Sequence, residues 1–207
     1  MKKRIGIIGG TFNPPHIAHL IIAERFAEQM RLDECCFVPA ALSPFKTEMD
    51  PASFATPEHR LKMVELAIAK NPVFKTDDVE LVKGGVSYSI DTISHFKNSF
   101  PESDLFLLIG TDQAVDFTKW KAWGEILKVV QLCIVRRPEA LKGKTELEIT
   151  EELTSDFKIP EWIDAPLMEI SATEIRERVL HKKSIRFVVP REVEEYIFKN
   201  NLYAGKS

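Results

Sequence analysis

Between Gly9 and His19 the chain reads GGTFNPPHIAH, a stretch whose residue types suit the grip of a nucleotide's phosphates. Two glycines behind an apolar run let the backbone come close to a phosphate. A helix starting just beyond would aim its first N–H groups and its partial positive charge at the same point. A Gly-Gly after a strand also serves as a plain turn. The spacing is neither G-x-G-x-x-G nor G-x-x-x-x-G-K-[ST], so it carries neither a dinucleotide fingerprint nor a Walker loop. His16 and His19 stand three apart at the helix start and share a face. Such a pair fits two satisfied structural histidines, a metal site or a pair of phosphate donors. Zinc needs further ligands, which the sequence does not offer at matching spacing, whereas the glycines and the helix dipole favour an anion.

A second cluster lies far along the chain, Ile170 to Arg176, ISATEIR. Ser171 as N-cap and Glu174 three residues on form a capping box, which a helix needs for its own sake. Arg176, about one turn further on, could also reach an anion with its guanidinium fork. Neither cluster supplies a Ser-His-Asp set or a carboxylate pair.

The elements that must position these residues follow from the hydrophobic pattern. Arg4 to Ile8 reads as a short buried strand ended by Gly9-Gly10. A helical pattern starts near His19, with Ile22, Phe26 and Met30 four apart. Cys35 to Val38 is the next strand, giving the strand–helix–strand unit of a parallel sheet. Ala40 to Thr56, interrupted by Pro44 and Pro51, has no period and reads as a surface loop that orders over substrate. Thr56-Pro57 is a good helix start, and Leu61, Val64 and Ile68 line that helix. Val73 to Leu81 reads as a strand and Ile90 to Phe96 as a short helix. Leu105 to Ile109, ended by Gly110, and Leu132 to Val135 are further strands. Lys142 to Asp156 is charged and reads as a surface excursion. Ser171 to Leu180 and Pro190 to Lys199 read as closing helices. The pattern predicts one α/β domain over residues 1–207, a doubly wound parallel sheet, with ligands beyond the carboxyl ends of the strands.

Composition narrows the function classes. The net charge of −3 gives no general attraction to nucleic acid or to an anionic membrane, and no stretch is long and apolar enough to span a bilayer. The run behind Met1-Lys2-Lys3-Arg4 is too short for a signal peptide. Cys35, Cys36 and Cys133 form no C-x-x-C pair and sit in apolar runs, so they read as buried, reduced thiols of a cytoplasmic protein.

Taken together, TFNPPHxxH after the first strand and ISxTxIR near the end resemble the nucleotidylyltransferase superfamily, with its (H/T)-x-G-H signature. Within it the chain is similar to the bacterial nicotinate-nucleotide adenylyltransferases over almost its full length. The likeness takes in Tyr88–Thr92, Leu108–Asp112, Trp120, Val135–Pro138, Ser184-Ile185 and Val189-Pro190. It implies a Rossmann-like nucleotidylyltransferase fold and adenylyl transfer from ATP to nicotinate mononucleotide, with Mg²⁺ carried mainly by the substrate phosphates and no metal ligand on the protein. It implies that Gly9, Gly10, Thr11, Phe12, His16 and His19 hold ATP phosphates, with Ser171, Thr173 and Arg176 gripping the triphosphate from the other side. Gly110 and Asp112 would lie near the ribose and Arg136 near adenine. Lys46 would contact the mononucleotide's phosphate, Trp120 would stack on the pyridine ring, and Tyr88, Ser89 and Thr92 would receive the nicotinate carboxylate. His16, His19, Lys46 and Arg176 are thus the expected catalytic clamps. A homo-oligomer is compatible with the sequence.

Three positions depart from the family pattern. Ala18 replaces the usual glycine between the histidines. Ser43-Pro44-Phe45-Lys46 stands where P-P-H-[KR] is common. Lys121 follows Trp120 in place of an aromatic residue. Rival readings keep the ATP side and change the second pocket: an adenylyltransferase for nicotinamide mononucleotide or for phosphopantetheine. A class I aminoacyl-tRNA synthetase shares the histidine element, but this chain is short for one and not basic. A nucleotide-sensing module would keep the fold and lose turnover.

Overall fold

A computed structural model describes residues 2–42, 54–154 and 157–205. The elements run β1 (Arg4–Gly10), α1 (Ile17–Met30), β2 (Glu34–Pro39), α2 (Pro57–Ile68), β3 (Phe74–Thr76), α3 (Val79–Lys83), α4 (Ser89–Ser99), β4 (Asp104–Gly110), α5 (Thr111–Ala114), α6 (Trp123–Val129), β5 (Val130–Val135), α7 (Glu146–Thr154), β6 (Glu161–Ile163), α8 (Ala172–Leu180) and α9 (Arg191–Lys199). Short 3₁₀ turns cover Phe117–Lys119 and Pro138–Ala140. The strands form one six-stranded parallel sheet in the order β3-β2-β1-β4-β5-β6. The winding therefore reverses between β1 and β4, which pair in register from Arg4↔Asp104 to Ile8↔Leu108. The doubly wound sheet read from the sequence is what the chain forms, and the reversal is where such sheets bind ligands.

The chain packs as two compact units. One comprises Met1–Gly9, Ile22–Cys36 and Tyr88–Leu167; the other comprises Gly10–Ile21, Phe37–Ser87 and Met168–Ser207. In the first, the buried residues of β1, β4 and β5 form near-continuous apolar runs, as strands covered on both faces must. In the second, Ala55, Met63, Ile175, Val179, Ile185, Val189, Val193, Ile197 and Tyr203 form one buried cluster. The helices supplying it start where local chemistry says they should. Thr56 Oγ1 accepts the His59 N–H with Pro57 in the first turn, and Ser171 Oγ accepts the Glu174 N–H at 3.1 Å. Cys35, Cys36 and Cys133 are buried, as expected, and none is in a disulfide among the described residues.

Several boundaries differ from the sequence reading. Gly9 and Gly10 belong to β1 instead of ending it, and α1 begins at Ile17. Of the strand expected over Val73–Leu81, Phe74–Thr76 forms. Asp77 Oδ1 then accepts the Val79 N–H at 2.9 Å and opens the helix α3, because a short polar side chain competes for the backbone that a strand would use. The Lys142–Asp156 excursion contains α7, with Ile149 and Leu153 buried. Its signal was a second capping box: Thr145 Oγ1 accepts the Glu148 N–H at 3.1 Å, and the Glu148 carboxylate accepts the Thr145 N–H at 2.7 Å. The strand β6 is three residues long and carries too little pattern to read.

Candidate active site

In the second unit, the segment leaving β1 is held in one conformation. Phe12 has φ +48°, in the left-handed region that a phenylalanine rarely adopts. Its ring is buried, and a Cβ on Gly10 would come within 2.9 Å of it. Gly10 is thus needed for the Phe12 ring, whereas a Cβ on Gly9 would meet nothing within 4 Å. Asn13, only 2% exposed, is the hub of the segment. Its Oδ1 accepts the Ala55 N–H at 3.1 Å and the Tyr203 hydroxyl at 2.7 Å. Its carbonyl accepts Arg176 Nη1 at 2.9 Å. Burial raises the Tyr203 pKa, so the phenol stays a donor across the working pH range.

His16 immediately precedes α1, and His19 lies in its first turn. His16, 6% exposed, stacks on the half-buried His19 with ring centroids 3.7 Å apart. The His16 backbone N–H donates to His19 Nδ1 at 3.1 Å. His19 thus fills the capping-box position at the start of α1, a role usually taken by Glu or Gln. With Nδ1 accepting, the remaining ring nitrogen, Nε2, is the one that carries the proton of neutral His19. Phe12 meets the same ring edge-on at 5.2 Å. Ala18 is buried in the helix with ordinary helical backbone. There alanine is favoured over glycine by roughly 1 kcal/mol, so the departure from H-x-G-H costs the helix nothing.

From α8, Arg176 donates to Thr173 Oγ1 at 3.2 Å as well as to Asn13. Partial burial lowers its pKa, though an arginine remains charged throughout the physiological range. The structure thus brings together Phe12, His16 and His19 on one side, and Arg176 with Thr173 and the Ser171 cap at the adjoining Asn13. Lys46 lies outside the described residues.

The first unit holds the other expected residues. Gly110 ends β4, and a Cβ there would lie 2.5 Å from Asp112 Oδ1, so the glycine lets the carboxylate fold over the strand end. Thr111, fully buried, ties β4 to β5: its hydroxyl donates to the Val135 carbonyl at 2.6 Å and accepts the Arg137 N–H at 3.0 Å. Arg136 sets Nε 3.1 Å from both carboxylate oxygens of Glu146 and pairs Nη1 with Asp164. Trp120 packs on Phe117 with centroids 4.9 Å apart. Its neighbour Lys121 places Nζ 4.4 Å over the Tyr88 ring, which brings the 120–121 segment to Tyr88, the residue capping α4. Ser89 is the first residue of that helix, and Thr92 is buried in its first turn.

Sequence reasoning passed over Arg60, Asn13 and Tyr203. Arg60, 1% exposed, donates from Nη1 to the carbonyls of Thr11 at 2.9 Å and Ala40 at 2.7 Å, and from Nη2 to Ala41 at 3.3 Å. The available signal was an arginine on the apolar face of α2, one turn before Val64. Nucleophilic thiol chemistry is disfavoured: burial raises the pKa of Cys35 and of Cys133.

A parallel sheet with a glycine-ended strand on each side of its winding reversal, and a histidine pair opening the first helix, is the arrangement of a nucleotidyl-transferring α/β protein. Residues 7–178 match the cytidylyltransferase-like family, and the chain belongs to it. Within that family it groups with the nicotinate-nucleotide adenylyltransferases. A probable nicotinate-nucleotide adenylyltransferase from Citrifermentans bemidjiense is 38% identical over 97% of this chain and 98% of its own. A relative of the same name from Exiguobacterium sibiricum is 37% identical over 97% and 99%. In fold, the chain resembles the Plasmodium falciparum nicotinic acid mononucleotide adenylyltransferase complexed with NaAD, with TM-score 0.78 and 21% identity over 97% of both chains.

Proposed function

We propose that this chain transfers the adenylyl group of ATP to nicotinate mononucleotide, releasing pyrophosphate and forming nicotinate adenine dinucleotide for NAD biosynthesis. The observation that carries this reading is the 38% identity, across 97% of the chain, with a relative bearing that activity in its name. The site supports it on chemical grounds. The attacking group is a phosphate monoester, whose second pKa of about 6 leaves it mostly ionised at neutral pH. No general base is required. The enzyme's work is to align two anions and to stabilise charge developing on the α-phosphate and the leaving pyrophosphate.

The proposed part of each residue comes from the family likeness, supported for the described residues by their settings. His19, with Nδ1 occupied by the His16 N–H, offers Nε2 as a fixed donor to phosphate, and His16 stacks beneath it as the second clamp. Gly9, Gly10, Thr11 and Phe12 bring backbone N–H groups to the triphosphate. Arg176, Ser171 and Thr173 meet it from α8, while Lys46 neutralises the mononucleotide's phosphate. Gly110 and Asp112 receive the ribose and Arg136 the adenine. Trp120 stacks on the pyridine ring, and the nicotinate carboxylate is received at Tyr88, Ser89 and Thr92, where α4 starts.

Mg²⁺ on the substrate phosphates would withdraw charge from the triphosphate. The donor set of histidine, arginine and hydroxyls suits phosphate oxygens, and Mg²⁺ commonly keeps to substrate phosphates with few protein ligands, so the ion's proposed place is on the substrate. Buried free thiols suit a cytoplasmic location, and no described helix is long and apolar enough to cross a membrane.

The test is pyrophosphate release from ATP and Mg²⁺ with nicotinate mononucleotide, nicotinamide mononucleotide and phosphopantetheine offered in turn. Fast turnover with nicotinate mononucleotide is expected. Turnover confined to another acceptor would move the substrate assignment, and ATP binding without any turnover would favour a sensor.

A further inference from the structure

Arg60 is a buried cation with no part in the chemistry above. It sits on α2 between the segments that leave β1 and β2, all within the second unit. Its guanidinium holds the Thr11 carbonyl at 2.9 Å, the Ala40 carbonyl at 2.7 Å and the Ala41 carbonyl at 3.3 Å. The two segments also meet directly, through the Ala40 N–H on the Gly10 carbonyl at 2.8 Å.

We infer that Arg60 is a positioning residue for the phosphate-binding segment: by fixing the Thr11 carbonyl against Ala40 and Ala41, it aims the Phe12 N–H at the phosphates of ATP. The reasoning is geometric. A trans peptide is rigid and points its N–H away from its carbonyl. Anchoring the Thr11 oxygen on the inner side therefore turns the Phe12 N–H outward, and it helps hold Phe12 at its φ of +48°. The same logic applies at the β2 end. Arg60 takes the Ala40 carbonyl, and the next N–H, that of Ala41, points to Ser87 Oγ at 3.0 Å. One side chain thereby sets the exit direction of both strands. This inference rests on the reading that the Thr11–Phe12 segment holds the triphosphate.

A purely structural role is the weaker explanation. The acceptors are three neutral carbonyls, Nε finds no acceptor among the described residues, and no carboxylate there lies within ion-pair distance of Arg60. Burial lowers its pKa. A charge kept on such terms is a poor way to gain stability, since well-packed apolar residues often do as well or better. The unneutralised charge also adds positive potential behind a site that binds a polyanion.

The experiment compares Arg60→Met with Met63→Ala, a control truncation of a fully buried residue on the same helix. Three quantities are read: Tm without ligand, calorimetric Kd for a non-hydrolysable ATP analogue, and kcat/KM with ATP and nicotinate mononucleotide. Displacing the segment by about 1 Å should cost Arg60→Met about 100-fold in kcat/KM, with weaker analogue binding. Met63→Ala should lower Tm at least as much and leave Kd unchanged. The proposal is overturned if Arg60→Met binds and turns over like wild type. It is equally overturned if both variants lose analogue affinity in proportion to Tm. If Arg60→Met does not fold, Arg60→Lys decides. An ammonium keeps the charge but cannot span both segments, so roughly tenfold loss in kcat/KM supports the clamp, and wild-type rates refute it. A wild-type protein that binds the analogue but rejects nicotinate mononucleotide would sink the proposed function, while the Kd comparison still decides the role of Arg60.

Discussion

The segment from Gly10 to His19 and the residues Tyr88, Asp112, Trp120 and Arg136 are built on opposite terms. In the first, Phe12, Asn13 and His16 are all under 10% exposed. Asn13 and Thr11 there are tied to distant elements, Asn13 to Ala55, Tyr203 and Arg176, and Thr11 to Arg60, while His16 and His19 engage each other. In the second, Tyr88 and Asp112 are exposed, Trp120 is half-buried, and Arg136 spends its guanidinium on two surface carboxylates. The contrast matches the proposed division of labour. Charge stabilisation during phosphoryl chemistry needs donors fixed before the reaction begins. Recognition of a ring and a carboxylate can rest on side chains at the surface.

If that contrast is right, variants in the two regions should fail differently. His19→Ala should have the largest effect, lowering kcat at saturating substrates by ~10²–10³-fold, about 2.7–4 kcal/mol of transition-state stabilisation. Near-full turnover would remove His19 from the chemistry. Arg176→Met should follow. Losing a charged donor and its hold on Asn13 costs roughly 1.5–3 kcal/mol, read as a drop in kcat/KM for ATP. Trp120→Ala should leave the KM for ATP unchanged and raise that for the mononucleotide by roughly tenfold, since stacking on a base is worth about 1–3 kcal/mol. A change confined to kcat would place Trp120 among the pre-organised groups instead.

Two smaller effects concern stability. Tyr203→Phe leaves Asn13 Oδ1 with one fewer donor and should cost about 1 kcal/mol in chemical denaturation, with a matching loss of activity because the hub positions the segment. The smallest effect belongs to the first unit's surface. Lys119 and Lys142 flank Asp116 and hold its carboxyl at about 2, below the usual 3.8. A depressed folded-state pKa adds stability that is present above pH 4 and lost as pH falls toward 2. Asp116→Asn should therefore shrink the Tm difference between pH 5 and pH 2, by a small amount given its exposure. An unchanged difference would show that the paired lysines do nothing for folding.

Much of this protein could be read where the determining interactions are local. Helix starts at Thr56 and Ser171 follow from residues three apart, and the apolar runs of β1, β4 and β5 announce buried parallel strands. The reading failed where a local signal was overlooked, as in the Thr145–Glu148 capping box, or where the element was too short to have a period, as in β6. It also failed at Val73–Leu81, where Asp77 diverts the backbone after three strand residues. Arg60 was missed for another reason. An arginine 49 positions from Thr11 gives no hint in sequence that it will hold that residue's carbonyl.

By itself, then, the sequence determined the doubly wound parallel sheet, and it marked the two clusters proposed to bind phosphate, because hydrophobic period and capping act over a few residues. It also sufficed to place the chain with the nicotinate-nucleotide adenylyltransferases. Tertiary structure decided that His19 Nδ1 takes the His16 N–H and that Gly10 makes room for Phe12. It also decided that Asn13, Arg60 and Tyr203 hold the segment in place. Those outcomes depend on hydrogen bonds between residues up to 190 positions apart. Such bonds form when burial leaves each polar group no water to turn to, and that condition exists in the folded chain alone.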